Sequence, residues 1–262
     1  MAFPRQKLNG CLALAVGLLF ALSTEAMAQP AKGRPPLTLG LGVVASPAPY
    51  AGVEDQSLTP VPFINMEGDR FYFRGLQAGY RFWKPDSITL SAILQPRLQS
   101  YTADDSDALA GMADRKRTLE GGLRLSWRKG PFQAELRTLT DLLDRHGGHS
   151  VTADTGLRLA GAGLSVTPAA GVTWQSRDFV GYYYGVRPGE ARATRPPYSG
   201  TAALNPFIGT TIRYQLAGRW GLFTFLRHTW LDSAITDSPL VDTNTDISGG
   251  FAVTIGLGAS SD

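Results

Sequence analysis

From Thr118 to Asp141 apolar and polar positions alternate with a period of two. Leu119, Gly121, Leu123, Leu125 and Trp127 interleave with Glu120, Gly122, Arg124 and Ser126. After Arg128-Lys129-Gly130-Pro131, Phe132, Ala134, Leu136, Thr138 and Thr140 interleave with Gln133, Glu135, Arg137 and Asp141. A period of two sends successive side chains to opposite faces of a strand, so the stretch predicts a hairpin with one apolar and one charged face. Its strands are long enough to cross a bilayer when tilted.

The alternation recurs along the chain. It covers Leu37 to Ala45, Ile88 to Gln99, Val151 to Leu159, Leu164 to Gln175, Ile208 to Leu216 and Ile247 to Leu257, while Thr59 to Met66 is extended, with Pro60 and Pro62 marking an edge or irregular strand. Arg219 to Leu231 is ambiguous, because Phe223 and Phe225 share a face with Arg227. Between Phe71 and Phe82 the phase flips at Arg74-Gly75, which demands a turn or a bulge. Connections after residue 84 alternate between short (near 85, 129, 161 and 217) and long (from 102, 142, 176 and 232). Short turns on one side and long loops on the other are the pattern of an antiparallel transmembrane β-barrel, with periplasmic turns and outer loops. A reversal at Gly75 gives twelve strands and a bulge gives ten; the phase flip and the even-number rule favour twelve. Trp127, Trp174 and Trp230 close strands where an aromatic girdle belongs.

Composition supports an all-β class. No apolar run after residue 28 approaches a spanning helix, mean hydropathy is −0.08, and 30 glycines disfavour long helices. Residues 1–28 read as a cleaved signal peptide, with Arg5 and Lys7 ahead of an apolar stretch and Ala26-Met27-Ala28 as the cleavage site. Residues 29–36 form a periplasmic lead carrying Lys32 and Arg34, and 37–262 form the barrel. Cys11, the one cysteine, opens the apolar stretch rather than following it, so it is not a lipidation site and leaves no thiol in the mature chain. Of 25 basic and 22 acidic residues, Arg5, Lys7 and Glu25 lie in the signal, leaving a net charge near +2. That balance gives no reason to expect a nucleic-acid partner; the expected surroundings are outer-membrane lipid in a Gram-negative envelope.

The polar face predicts the lumen. Arg97, Glu120, Arg124, Glu135, Arg137, Asp154, Arg158 and Arg213 are expected to project inward, either as a selectivity lining or, the preferred reading, as paired charges filling a narrow barrel. His146 and His149 lack a third ligand at useful spacing and are expected on a solvated loop rather than at a metal. His149, Ser150 and Asp154 form the one local cluster with a catalytic cast, too common in loops to predict an enzyme, and no cofactor is expected. Tyr182, Tyr183 and Tyr184 sit in the longest loop, as an exposed contact surface or as part of an aromatic belt; both readings stand.

Several short motifs, in this order and spacing, resemble the MltA-interacting protein (MipA/OmpV) family of outer-membrane proteins. They are Ala48-Pro49-Tyr50-Ala51-Gly52 with Pro60-Val61-Pro62, Gly75-Leu76-Gln77-Ala78-Gly79-Tyr80, Asp114-Arg115-Lys116, Tyr182-Tyr183-Tyr184-Gly185-Val186, and Thr236-Asp237-Ser238-Pro239-Leu240-Val241-Asp242. The resemblance implies an outer-membrane scaffold that brings a lytic murein transglycosylase together with a bifunctional penicillin-binding protein. Members described as porin-like channels or adhesins supply the alternative, and a lipid-modifying enzyme is a remote one. The chain departs from the family pattern in ending Gly256-Leu257-Gly258-Ala259-Ser260-Ser261-Asp262, without a terminal aromatic. With short turns on the periplasmic side, a scaffold must use those turns, the lead with Lys32 and Arg34, or the lumen.

Overall fold

The computed structural model describes residues 37–45, 49–53 and 58–257. The signal peptide and the lead, with Lys32 and Arg34, lie outside the described residues. The wall strands are β1 (Leu37–Ala45), β2 (Leu58–Glu67), β3 (Phe71–Arg74), β4 (Gln77–Trp83), β5 (Ile88–Arg97) and β6 (Thr118–Lys129). They continue as β7 (Phe132–Asp141), β8 (His149–Leu157), β9 (Leu164–Gln175), β10 (Ala203–Gln215), β11 (Trp220–Trp230) and β12 (Thr245–Leu257). Leu159–Gly161 continues β8 in the same register against β9; the break falls opposite Pro168, which has no N–H to donate. Each strand pairs antiparallel with the next, and β12 pairs with β1 from Leu37↔Leu257 to Ala45↔Gly249. The result is a closed twelve-stranded barrel in the outer membrane, and closure leaves no edge along most of the wall.

The chain reverses at Gly75. Its φ of 64° lies in the left-handed region, and Arg74 pairs with Gln77 across a two-residue turn. This reversal makes the count twelve. The outward positions carry Leu39, Leu41, Val43, Leu123, Leu125, Leu136, Ile208, Leu226, Phe251 and Val253, all exposed as lipid contact requires. All five tryptophans are exposed outside: Trp83, Trp127 and Trp220 toward the periplasmic ends of their strands, Trp174 and Trp230 toward the outer ends. The ambiguity in β11 resolves inward. Phe223, Phe225 and Arg227 all face the lumen, where Arg227 stacks on Phe207 at 3.5 Å and donates to Thr173. Room for these rings comes from the neighbouring strands, whose inward positions include Gly40, Gly42, Gly250 and Ala252. A Cβ at Gly250 would press into the Phe225 ring. The Phe63 and Phe223 rings then meet at 4.8 Å.

The region from 176 to 200 is more than a loop. It begins with α1 (Arg177–Tyr184), capped by the Ser176 hydroxyl accepting from the Phe179 N–H; α2 (Ser233–Thr236) is capped by Asp232. These short helices and the loops around them pack into a cap at the outer end. Its core contains Tyr50, Tyr101, Leu109, Met112, Phe179, Val180, Tyr183, Tyr184, Ile235 and Leu240. Among the described residues most buried apolar side chains lie in this cap, because the barrel's own apolar face is turned to lipid.

Candidate functional site

The lumen wall from β4 to β8 is polar. Arg97 Nε donates to Glu120 at 2.6 Å, and Glu120 is almost fully buried. Arg124 donates through Nε to Glu135 at 2.7 Å and through a terminal nitrogen to Gln77 at 2.8 Å. Gln77 in turn donates to Gln95 at 2.8 Å. Nearer the periplasmic end Glu67 receives Arg74 and Arg81. Four of the eight residues expected inside therefore form two ion pairs. Arg158 is exposed and its Nε lies 3.4 Å from Ser165 Oγ; the Arg213 guanidinium lies 5.0 Å from the Phe223 ring centre. Arg137 and Asp154 join no ion pair among the described residues, and Arg137 Nε is buried without a partner.

His146 corrects an expectation. It is buried rather than solvated, and its Nδ1 accepts from the Gly148 N–H at 3.0 Å. Its Nε2 points at Glu120 from 3.4 Å, and its ring meets Phe179 edge-on at 5.0 Å. The carboxylate shared by Arg97 and His146 thus sits directly beneath α1. His149 is exposed at the start of β8, and Ser150 is buried in the next position, facing inward. A strand places these two neighbours on opposite faces, so the structure does not bring His149, Ser150 and Asp154 to one point.

The tyrosines correct another. Tyr183 is 0% exposed and Tyr184 is 5% exposed. One face of α1 presents Phe179, Val180, Tyr183 and Tyr184 to the cap core, so the run is packing rather than an exposed surface or a belt. Tyr182 is partly buried, and its hydroxyl accepts from the Lys116 N–H at 2.9 Å. Gln99 bridges the wall to the cap, donating to Tyr184 at 3.1 Å and Tyr50 at 3.3 Å. Burial, with the Asp246 carboxylate adding to it, pushes the Tyr184 phenol up to about 12, so it stays a neutral donor or acceptor.

The cap is locked by ions that the sequence reading did not single out. Arg115 is 1% exposed and forks onto Glu190 at 3.1 and 3.2 Å, with further bonds to the Ala113 and Tyr182 carbonyls. Burial alone would raise the Glu190 pKa; Arg115 and the N–H groups of Arg187 and Ala113 outweigh it and hold the carboxyl below its usual value. Arg195 donates to the carbonyls of Glu190, Ala108 and Ala110, tying two loops together. The Asp114-Arg115-Lys116 motif was visible but its partner lies 75 residues away, and a lone sequence does not show that pairing. The α1 helix did have a local signal, Ser176 followed by Asp178 in the first turn.

The periplasmic end carries no comparable cap among the described residues. Its rim exposes Arg70, Lys84, Arg128, Lys129, Arg158 and Arg219 against Glu67, Asp69 and Asp86. The barrel therefore presents a closed, mixed-charge outer face and a basic inner rim.

Residues 39–256 match the family described as MltA-interacting protein MipA. The chain is 35% identical to the MltA-interacting protein of Escherichia coli, over 87% of this chain and 92% of that one. It is 29% identical to outer membrane protein OmpV of Vibrio cholerae, over 72% and 74%. Among solved structures, an outer membrane channel from Pseudomonas putida F1 is similar at 12% identity and a TM-score of 0.42, over 89% of this chain and 98% of that one.

Proposed function

The chain belongs to the MltA-interacting protein MipA family, and on that premise we propose that it is a non-enzymatic docking protein for peptidoglycan enzymes. Its partners in this reading are a lytic murein transglycosylase and a bifunctional penicillin-binding protein. The single observation that carries the reading is the 35% identity, over most of both chains, to a protein named for interacting with MltA. The charge asymmetry supports it. Peptidoglycan enzymes work on the periplasmic side, and the exposed bases of the rim lie there, on short turns held rigid by the wall. Rigid turns ringed by like charge suit recognition of an acidic surface, because complementary potentials steer encounter and exclude wrong partners. In this reading Lys32 and Arg34, of the lead expected from the sequence, contribute two further bases to docking.

The test is capture on immobilised barrel in mild detergent, with the purified transglycosylase and penicillin-binding protein offered separately. The expected result is retention of the transglycosylase. Replacing Arg70, Lys84, Arg128 and Lys129 by Glu is expected to weaken retention on the order of tenfold, since like charges then face each other. A wild-type barrel that retains neither enzyme overturns the reading.

A further inference from the structure

The wall has a low place. β3 has four residues and β4 seven, whereas the flanking β2 and β5 have ten each. Both flanking strands start level with the short hairpin at the periplasmic end. Asn65 pairs with Arg74, Ala78 pairs with Leu94, and the Gly75 N–H donates to the Ile64 carbonyl at 2.8 Å. Beyond that level Leu58 to Phe63 of β2 and Pro96 onward of β5 have no strand between them among the described residues. Two missing strands leave a gap of about 14 Å between β2 and β5, running about 20 Å along β2. The tip Gly75-Leu76 is its sill. Its lintel is the cap, where the Tyr50 and Tyr101 rings meet at 4.7 Å.

The edges of this gap are built for exposure. In an antiparallel ladder the N–H and C=O of one residue point the same way, and those of the next residue point the other way. The Ile64 carbonyl faces β3, so Pro60 and Pro62 face the gap. On β5 the Ser87 and Tyr101 groups bond toward β6, so Pro96 also faces the gap. Three prolines thus occupy gap-facing positions and remove the donors that would recruit another strand. A β-strand partner is excluded on that ground. The carbonyls remain, and carbonyls facing hydrocarbon without a partner are costly, so the opening must be wetted from the lumen or visited by a molecule with polar groups.

The lumen behind the gap has two different walls. On the β2 side Val61 and Phe63 face inward, with Phe223 and Phe225 beyond them over the glycine-lined β12 and β1. Arg227 follows on β11, two residues beyond Phe225, where it stacks on Phe207 and donates to Thr173, and Arg137 lies on β7; neither joins an ion pair among the described residues. Arg137 Nε is buried with no hydrogen-bond partner. An apolar wall, with a buried guanidinium nitrogen of Arg137 left without a partner in the same lumen, suits one chemistry: an apolar tail with an acidic head.

We propose that this window is a lateral entrance through which a single-chain amphiphile with an acidic head, a long-chain fatty acid, passes between the outer leaflet and the lumen. The cap closes the axial route from outside, so the side is the route left. This inference goes beyond docking of peptidoglycan enzymes and does not depend on it.

The experiment uses the purified mature barrel in phosphatidylcholine vesicles, with one cysteine introduced and labelled with bimane. Phe63→Cys reports on the lumen behind the window, and Gln133→Cys on the lumen wall at the periplasmic end of β7, away from the window. Doxyl-labelled stearic acid is expected to quench the Phe63 label several-fold more than the Gln133 label. The doxyl stearate methyl ester and doxyl phosphatidylcholine are expected to show no such preference. Adding two residues to each strand of the β3–β4 hairpin raises the sill by about 7 Å. That variant, checked for the folded band on unboiled gels, is expected to lose the preference. Equal quenching at the two labels overturns the proposal, as do equal quenching by acid and ester and a preference that survives the raised sill in a folded barrel.

Discussion

Glu190 holds the cap through one carboxylate, and its environment sets a direction for acid sensitivity. The group's pKa in the folded protein is depressed by Arg115 and two backbone N–H groups. A depressed carboxylate contributes its full stabilisation above its unfolded value of about 4.3 and loses it as pH falls through the lower folded value. The cap is therefore expected to stay closed at neutral and mildly acidic pH and to loosen only below the ordinary carboxylate range. Trypsin cleavage after the exposed Arg192 on intact cells reports the state of the cap at pH 7. Glu190→Ala removes one partner and leaves Arg115 buried with an uncompensated charge. Such a loss costs about 3–5 kcal/mol where the partner stays buried. Cleavage after Arg192 should rise markedly while the folded barrel band persists; unchanged protection would mean the pair does not lock the cap. In the lumen, Arg124→Leu leaves Glu135 and Gln77 without their donor. The temperature at which the folded band is lost on gels is expected to fall, and an unchanged temperature would contradict a paired-charge lattice.

At the scale of elements, the strands were legible because lipid on one side and water on the other enforce a strict period of two. The flip at Gly75 was legible for the same reason, since a slip of one residue is intolerable in such a wall. Phe223 and Phe225 were not, because their inward place depends on glycines in β12 and β1 that make room for rings. The tyrosine run misled in the same way: a run of aromatics in a loop does not reveal the cap core into which a helix will turn it. Local geometry at two glycines gives tests. At Gly75 nothing crowds a side chain, yet φ is 64°. Gly75→Asn should assemble nearly as well as wild type, and Gly75→Val should pay about 1–2 kcal/mol for the left-handed backbone. At Gly122 a Cβ would collide with the Thr138 carbonyl oxygen on β7. Gly122→Ala is expected to disrupt the β6–β7 ladder and lower the yield of folded band. Equal yields for Gly75→Val and Gly75→Asn would show that the left-handed turn does not need a permissive residue, and normal yield for Gly122→Ala that the close approach to β7 is not required.

At the scale of the molecule, the motifs that carry the family resemblance sit at two places. Tyr50, Arg115, Tyr182 to Tyr184 and Leu240 build the cap, while Pro60, Pro62 and Gly75 frame the low place in the wall. The long strands that make the barrel supply few of them, since many sequences satisfy alternation. A cap with its own buried core and a buried ion pair is a closed structure rather than a set of flexible loops, and it lies across the outer mouth. Conduction along the barrel axis should therefore be limited by the cap before the lumen, whose inward side chains are polar on one wall and apolar on another. Replacing residues 177–199 by a short Gly-Ser linker removes α1, Glu190 and Arg195 together, and with them the ties to the 102–114 loop. In planar bilayers the wild-type barrel is expected to give small or rare conductance steps, and the variant larger and more frequent ones. Wild-type steps as large as those of the variant would mean that ions pass the cap freely, and the outer loops would then have to be read as a surface for contact rather than as a closure.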